Sequence, residues 1–332
     1  MPVADTHSTN TGKIPLVSVV IPTRNRVQLL QRAVFSVLNQ HQSDDPFDFE
    51  VIVVEQQSSD GTDEFLSALA DPRVRAIRVP PIGPGAARNL AVSQARGTWI
   101  AFVDDDDFWA PDKLRIQLSA LLTQDGGWGC TGTYYLDDTE HVIGLRQPLR
   151  TGSLDDLYAD LIEENVVTST STVMVRRQLL IDAGGFPTDV HFAEDWMLWI
   201  RLAKLSRAVP IADLLAGTRI SFGSATANVD HVHAAFAAID VLRGEAPTQR
   251  LARQRDANRS VALSTAYLRA NRRWPAARWR WGAALTRRSP GDVARTVAIV
   301  AFGSRWTLKH GHGARPEIID APPWLSAPAS SA

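Results

Sequence analysis

The sequence predicts an α/β fold, in which helices flank a mostly parallel central sheet, followed by a C-terminal helical extension. Over the first hundred residues, short β-branched runs alternate with segments of helical periodicity, as in parallel α/β proteins. Apolar residues make up 45% of the 332-residue chain, which is enough for a sizeable core. Beyond residue 225, Ala- and Arg-rich helical stretches replace this alternation.

The individual elements follow from apolar periodicity. The run at 17–21 (VSVVI) predicts a buried strand that ends at Pro22, and 28–39 has apolar residues at helical spacing. Further strands are predicted at 51–54, 74–79, 99–103, 131–136, 142–145 and 170–175. The strands at 131–136 and 142–145 are expected to form a hairpin. Further helices are predicted at 62–69, 86–95, 113–122 and 196–205, and several within 229–310.

These patterns divide the chain into four parts. We expect a disordered lead-in over 1–16 and a main domain over 17–225, split into a nucleotide-binding half (17–110) and an acceptor half (111–225). A basic helical extension follows over 226–320, and 321–332 is predicted to be a loose tail. Helix breaks within the extension are predicted at Gly244, Pro247, Pro275 and Pro290.

Charge is distributed unevenly although the net charge is only −1. Residues 225–332 contain 15 Arg and 1 Lys against 5 Asp and 2 Glu, a net +9, so the preceding residues carry −10. An acidic body joined to a basic extension predicts two modules with different partners. We do not expect nucleic acid to be a partner, because no recognised binding module accompanies the basic charge.

Three features predict a cytoplasmic protein that is at most peripheral at the inner membrane face. The single Cys130 excludes an intrachain disulfide and fits a reducing compartment. The first residues lack the layout of a signal peptide. The apolar run at 296–304 is much shorter than the roughly 20 residues of a membrane-spanning helix.

Polar clusters follow the predicted parallel strands. They lie at 23–25, 55–57 and 104–107, and Arg88 and Asn89 begin the helix after the third strand. In an open parallel sheet, ligands bind beyond the carboxyl ends of the strands. The sequence therefore predicts a binding site at this edge.

The four aspartates at 104–107 are the most distinctive feature. Asp104 and Asp106 face the same side of an extended backbone, and hard cations such as Mg²⁺ favour carboxylates together with substrate phosphates. An isolated acidic run is more often a solvated turn that caps a helix. The position after a buried strand favours the cation site.

Two weaker patterns keep alternatives open. The run GPGAAR at 83–88 fails as a dinucleotide fingerprint because Arg88 takes the place of the third glycine. Arg88 could lie near a phosphate or base, or be an ordinary surface arginine. Glu194 and Asp195 could simply interact with a helix dipole, or gain basicity by desolvation beside Trp196 and Trp199.

Taken together, these segments resemble the family 2 glycosyltransferases, inverting enzymes with the GT-A fold. The similarity covers about residues 17–225, in the family's order and spacing. The matching stretches are VSVVIPTRNR (17–26), SVLNQ (36–40), EVIVVEQQSSDGT (50–62), GAARNLA (85–91), GTWIAFVDDDDFWAPDKL (97–114), GGF (184–186) and EDWMLW (194–199).

The resemblance implies roles for individual residues. Asp106, with Asp104, would hold a divalent cation, Mg²⁺ or Mn²⁺, and Asp104 or Asp105 would contact the ribose or the metal shell. Asp195 would be the general base, supported by Glu194. The remaining donor-binding residues would be Pro22, Thr23 and Gln56 around the base, and Arg88.

One departure concerns the nucleotide. Gln56 stands where the family usually has an acid that accepts a hydrogen bond from a uracil-type ring N–H. A glutamine can still accept through its amide oxygen, but without charge assistance. UDP specificity is therefore in doubt, and dTDP or GDP sugars remain open.

The implied activity is transfer of a sugar, of the hexosyl type, from a nucleoside diphosphate sugar to an acceptor hydroxyl. The acceptor would be a saccharide or a lipid-linked molecule, in cell-surface polysaccharide, glycolipid or glycoconjugate synthesis. One alternative is a GT-A-like module that binds nucleotide sugars without turnover. Another is a Mg²⁺-dependent phosphatase, although Phe108 replaces the Thr or Val that such motifs carry.

The extension interleaves arginines with tryptophans over residues 272–281. This composition suits an anionic membrane surface, and it equally suits a helical subdomain whose tryptophans pack on the main domain. We expect packing, because Trp is usually highly buried.

Overall fold

The computed structural model describes residues 16–41, 47–147, 154–167, 169–190, 192–220, 229–243, 249–310 and 322–326. The predicted lead-in lies outside these residues except for Leu16, which begins the first strand. The breaks predicted at Gly244 and Pro247 also lie outside them.

The N-terminal half alternates strands and helices as predicted. Its elements are β1 (Leu16–Thr23), α1 (Val27–Leu38), β2 (Asp48–Glu55), α2 (Thr62–Ala68), β3 (Val74–Arg78), α3 (Pro84–Gln94) and β4 (Trp99–Phe102). β1 pairs in parallel with β2 and β4, and β2 with β3. The expectation that Pro22 ends the first strand is wrong. Pro22 lies beyond Val20, the last β1 residue paired with β4, so its missing N–H breaks no hydrogen bond on that side.

The second half completes a mixed sheet. Its elements are β5 (Phe108–Trp109), α4 (Lys113–Thr123), β6 (Trp128–Leu136), β7 (Val142–Arg146), α5 (Leu154–Glu163), a 3₁₀ turn (Thr170–Thr172), β8 (Val173–Arg176), α6 (Arg177–Asp182), α7 (Glu194–Leu205) and β9 (Ala208–Arg219). The sheet order is β3-β2-β1-β4-β8-β6-β9-β5, and β7 pairs antiparallel with β6 as the predicted hairpin. β8 and β5 pair antiparallel with their neighbours.

The strand predicted at 170–175 is wrong in its first three residues, which form the 3₁₀ turn. The Ser169 side chain accepts a hydrogen bond from the Ser171 N–H, and the Thr172 hydroxyl donates to the Ser169 carbonyl. Such local side-chain hydrogen bonds offer the backbone an alternative to sheet pairing.

Both faces of the sheet are covered by apolar layers. Successive residues of β1 point to opposite faces, so Val20 joins one layer and Val19 the other. The Val20 layer includes residues of α3 and α7, and the Val19 layer includes residues of α1 and α4. The polar clusters at 23–25, 55–57 and 104–107 follow the carboxyl ends of β1, β2 and β4.

The extension consists of α8 (Val229–Arg243), α9 (Gln249–Arg269), α10 (Arg273–Arg287) and α11 (Pro290–His310). Pro290 starts α11, the position that proline tolerates best. Pro275 lies within the first turn of α10, so the break predicted there is wrong: the chain turns before Arg273. In the part of the chain described, no helix is long and apolar enough to cross a membrane.

The extension packs on the main domain. Arg255 of α9 pairs with Glu163 of α5 at 2.9 Å, and the Phe236 ring of α8 meets the Trp196 ring of α7 at 6.0 Å. A charged contact and an aromatic one therefore anchor α9 and α8 to neighbouring helices of the domain.

Part of the predicted loose tail is ordered. Residues Pro323–Ser326 form a short helix, α12. The Trp324 ring meets those of Phe108 and Tyr134 at 6.0 Å each, and Leu325 is buried. The prediction is wrong for 322–326 because these two apolar side chains gain burial against the sheet. The other tail residues lie outside the described ranges.

Candidate active site

The ends of β1, β2 and β4 bring the predicted polar residues together. The Thr23 hydroxyl donates to the Asp105 carboxylate at 2.8 Å, across 82 residues of sequence. The Gln56 N–H donates to the Thr23 carbonyl at 3.2 Å. Pro22 is buried and pairs with Val54. The polar residues that follow β1, β2 and β4 therefore lie together, as the sequence predicts.

The four aspartates divide into two kinds. Asp107 is buried and accepts hydrogen bonds from the Ser169 and Ser171 hydroxyls, at 3.2 and 2.6 Å, and from the Arg219 N–H at 2.9 Å. Asp107 thus ties the loop to β9 and to the 3₁₀ turn. Asp104 and Asp106 are the open ones, with side chains 31% and 18% exposed.

Arg26 is a site residue that the sequence interpretation missed. Its Nη1 lies 2.9 Å from the Asp105 carboxylate and 2.8 Å from that of Asp106. A basic residue that directly follows the polar cluster after β1 was the available signal. Arg26 offsets part of the negative charge of the loop while remaining accessible to solvent.

Arg88 links the aspartate loop to α7. Its Nη2 donates to Asp104 at 2.6 Å and its Nη1 to Glu194 at 3.2 Å. Its guanidinium also lies over the Phe186 ring, 5.1 Å from the centroid. Arg88 is buried, so the alternative of a surface arginine is wrong. Its predicted contact with the donor stays a prediction.

Gly185 of the GGF segment allows the loop between α6 and α7 to approach α3. The Asn89 side chain donates to the Phe186 carbonyl at 2.7 Å and accepts from its N–H at 2.9 Å. Gly185 has φ +64°, and a Cβ there would lie 2.6 Å from the Asn89 amide oxygen. A side chain at 185 would therefore separate this loop from α3.

Glu194 and Asp195 begin α7 beside this contact. Burial raises the pKa of Asp195 to about 6, and the neighbouring charge of Glu194 adds to the rise. The expected gain in basicity by desolvation is confirmed in direction. The Trp196 N–H donates to one Asp195 oxygen at 2.7 Å, which fixes the carboxylate.

These groups form a cluster with surplus negative charge, which we call the acidic cluster. Its carboxylates are Asp104, Asp105, Asp106, Glu194 and Asp195, and its cations are Arg26 and Arg88. Burial and, after it, the charge of Asp104 raise the pKa of Asp106 to about 6. A bound cation would relieve this repulsion.

The acidic cluster fits a divalent cation that arrives with its substrate. Within the described ranges, no group of three or more His, Cys, Asp or Glu side chains could hold a metal ion by itself. Mg²⁺ usually takes only one or two protein carboxylates and completes its shell with substrate phosphates and water. The open carboxylates of Asp104 and Asp106 meet that requirement.

The amide of Gln56 has a defined orientation. Its Oε1 accepts from the Ile82 N–H at 3.1 Å and from the Gly83 N–H at 3.0 Å. Backbone N–H groups need an acceptor, so this network identifies the oxygen. The two backbone N–H groups therefore occupy the amide oxygen of Gln56.

Comparison with known proteins supplies the family. A family model for glycosyl transferase family 2 matches residues 18–182. An uncharacterized glycosyltransferase of Haemophilus influenzae is 32% identical over 194 residues, covering 58% of this chain and 73% of that protein. The chain belongs to glycosyltransferase family 2. Family membership agrees with the resemblance seen in the sequence.

Two further relatives extend the comparison, and one of them is named for polysaccharide synthesis. A putative teichuronic acid biosynthesis glycosyltransferase of Bacillus subtilis, TuaG, is 28% identical over 221 residues, covering 64% of this chain and 82% of that protein. An uncharacterized glycosyltransferase of Rickettsia felis is 30% identical over 211 residues, or 63% of this chain. The match spans only 34% of that Rickettsia protein.

Solved structures confirm the GT-A fold. S. aureus TarS residues 1–349, crystallised with UDP-GlcNAc, superimposes with a TM-score of 0.58 at 17% identity, covering 92% of this chain and 94% of that one. A Pyrobaculum calidifontis mannosyltransferase, in complex with GDP-Man and Mn²⁺, has a TM-score of 0.56 at 22% identity, with coverages of 90% and 84%.

Proposed function

We propose that this family 2 member is an inverting, metal-dependent glycosyltransferase of the hexosyl type. It moves a sugar from a nucleoside diphosphate sugar to an acceptor hydroxyl. The observation that carries the proposal is the acidic cluster at the strand ends. It has more carboxylates than arginines, and two of those carboxylates, Asp106 and Asp195, have a raised pKa. The relatives' names favour polysaccharide synthesis. The proposal takes the acceptor to be a saccharide or a lipid-linked molecule, in the synthesis of a surface polysaccharide, glycolipid or other glycoconjugate.

The donor diphosphate would bind with Mg²⁺ or Mn²⁺ at Asp106 and Asp104. A divalent cation supplies neutralisation of the charge that develops on the leaving diphosphate. Asp105 is held rigidly by Thr23 and Arg26, which suits a contact to the ribose. The Mn²⁺ named in the mannosyltransferase structure supports this choice of cation.

Asp195 would act as the general base. It would take the proton of the acceptor hydroxyl while that oxygen bonds to the anomeric carbon from the face opposite the diphosphate. The bond between that carbon and the diphosphate oxygen breaks in the same displacement, which inverts the configuration. A carboxylate with a pKa of about 6 is ionised at neutral pH and is more basic than an ordinary aspartate.

Arg88 and Glu194 would position this base. The Asp104 carboxylate and the Glu194 carboxylate are held on one guanidinium, that of Arg88, so this residue links the proposed metal site to the proposed base. Both members of the Arg88–Glu194 pair have low exposure, which strengthens the ionic contact relative to one at the surface. Arg88 would belong to the donor site through the Asp104 carboxylate that it holds.

The orientation of Gln56 supports a further point about the nucleotide. With Oε1 occupied by two backbone N–H groups, the side chain offers donors to the base. A uracil, thymine or guanine ring N–H would find no acceptor on this side chain, whereas cytosine N3, which is itself an acceptor, could accept a hydrogen bond from the amide NH₂. Gln56→Glu keeps an oxygen for Ile82 and Gly83 and turns the ligand-facing NH₂ into an acceptor.

A donor panel tests these proposals together. Turnover is measured with UDP-, dTDP-, GDP- and CDP-sugars in Mn²⁺ and in Mg²⁺, for the wild type, Gln56→Glu and Gln57→Glu. Gln57 is exposed and provides the same charge change one residue away. We expect metal-dependent turnover of at least one donor, and a shift towards UDP- or dTDP-sugars in Gln56→Glu alone.

The outcomes separate the proposals. If no donor is consumed but nucleotides bind, the chain is a binding module without turnover. If Gln56→Glu and Gln57→Glu change donor preference equally, the assigned amide orientation is wrong while the transferase activity stands.

A further inference from the structure

One face of α10 carries both aromatic and basic side chains. Trp274, Arg278, Trp281 and Leu285 recur at intervals of three or four residues, which puts them on one side of the helix, and Arg288 follows directly after the last helical residue. Trp274 is 62% exposed, Trp281 47% and Leu285 64%. We call this set the α10 face.

The neighbouring helix continues the apolar surface. Val293, Val297 and Val300 of α11 are exposed at helical spacing. A groove of about 560 Å³, lined mostly by apolar atoms including Leu285 and Val293, joins them to the α10 face. Contiguous apolar surface of this kind marks an interaction site.

The tryptophans of the extension do not all pack as the sequence predicts. Trp279 does: it lies against the main core and meets the His233 ring at 6.0 Å. For Trp274 and Trp281 the prediction of packing is wrong, because the helix turns them away from the domain. Further burial of the Trp274 and Trp281 rings would require a binding partner.

Arginines of the extension differ in whether their charge is used internally. Three of them, Arg280, Arg287 and Arg295, surround the buried Asp292 at 3.0, 3.7 and 3.8 Å, an arrangement we call the Asp292 cluster. In the described part of the chain, neither Arg278 nor Arg288 has a carboxylate partner. The α10 face therefore presents uncompensated positive charge among exposed aromatic rings.

We propose that the α10 face and the α11 valines dock this protein peripherally on an anionic lipid bilayer. Trp and Leu side chains would enter the boundary between head groups and acyl chains, and Arg278 and Arg288 would contact lipid phosphates. Charge complementarity selects this partner, because the surrounding segment carries a net +9 and anionic leaflets attract basic segments. Docking does not depend on the transferase activity.

The test is flotation of the full chain with vesicles of phosphatidylcholine, with and without phosphatidylglycerol. We expect binding to the anionic vesicles that weakens with added salt, and little binding to the neutral ones. The triple variant Trp274→Ser, Trp281→Ser, Leu285→Ser should bind the anionic vesicles at least about tenfold more weakly than the wild type. Arg278→Gln and Arg288→Gln should each weaken binding about fivefold at low salt.

A matched control removes three exposed apolar side chains elsewhere: Leu122→Ser, Ile181→Ser, Leu205→Ser. It should float as the wild type does, and circular dichroism should show that every variant is folded. Failure of the wild type to float with anionic vesicles would overturn the proposal. Equal flotation of the two triple variants would also overturn it. So would a wild-type dimer that only the α10 triple variant dissociates, because the α10 face would then bind a second copy of the chain.

Discussion

The acidic cluster and the Asp292 cluster use the same two kinds of charged group in opposite proportions. In the acidic cluster carboxylates outnumber arginines, and the pKa of Asp106 is raised to about 6, by burial and by Asp104. In the Asp292 cluster three arginines share one buried carboxylate, and burial lowers the pKa of Arg280. A carboxylate is thus in excess in one place and scarce in the other.

The acidic cluster could therefore bind a cation from outside the protein, whereas the charge of Asp292 is already neutralised by arginines of the chain. Removing the Asp106 carboxylate relieves repulsion, so this carboxylate costs stability and must be kept for function. Asp292 holds α10 and α11 together, so its loss leaves arginines without a counter-charge. The two clusters should respond in opposite directions to the same substitution.

The largest effect is expected at Asp195. Asp195→Asn keeps the shape of the side chain and removes its basicity, so turnover should fall by about 10²–10⁴-fold while donor binding survives. Steady-state kinetics and calorimetric titration measure the two effects. Asp213→Asn, at an exposed position of β9, is the control. Retention of most turnover in Asp195→Asn would remove Asp195 from the role of base.

The second effect is on stability, in the Asp292 cluster. Asp292→Asn should lower the free energy of unfolding by about 2 kcal/mol. This is less than the full loss for a buried pair, because Arg287 and Arg295 are partly exposed. Urea unfolding measures it, with the exposed Asp256→Asn as control. An unchanged midpoint in Asp292→Asn would show that the three arginines do not depend on this carboxylate.

The pH dependence of turnover is the third effect. A general base works in its ionised form, so kcat/KM should rise with pH through about 6, the raised pKa of Asp195, and level off above it. Below that pH it should fall about tenfold per unit. A profile that stays level down to pH 4 would mean that the base is an ordinary, solvated carboxylate.

The smallest effect is a gain in stability at Asp106. Its pKa in the folded protein, about 6, lies above the ordinary value of 3.8, so the folded state binds more protons between these pH values and loses stability as pH rises through them. Asp106→Asn should therefore raise the unfolding free energy by about 1 kcal/mol at pH 7 in EDTA, and by nothing below pH 4. Destabilisation at pH 7 would contradict the charge surplus.

Much of the fold could be predicted because buried parallel strands are continuous apolar runs. The strands at 17–21, 51–54 and 99–103 were found in this way, and the aspartates after the last of them indicated the site edge. Periodicity also found the helices of the extension. These signals are local, and each is contained within about a dozen residues.

What could not be predicted depends on contacts across long stretches of sequence. The aspartates at 104–107 look equivalent, yet Asp107 is removed from the open site by Ser171 and by Arg219, 64 and 112 residues away. The sequence alone left open whether Arg88 is a surface residue, because its partner Glu194 lies 106 residues away. Trp324 likewise docks on Phe108, far from it in the chain.

The central claim is that the surplus carboxylates bind a divalent cation together with a nucleoside diphosphate. Calorimetric titration of UDP, dTDP, GDP and CDP into the full chain, in Mn²⁺ and then in EDTA, tests it without requiring an acceptor. We predict that the best-bound nucleotide binds about tenfold or more tightly with Mn²⁺, and that Asp106→Ala loses this difference. Equal affinity in Mn²⁺ and in EDTA would contradict the account.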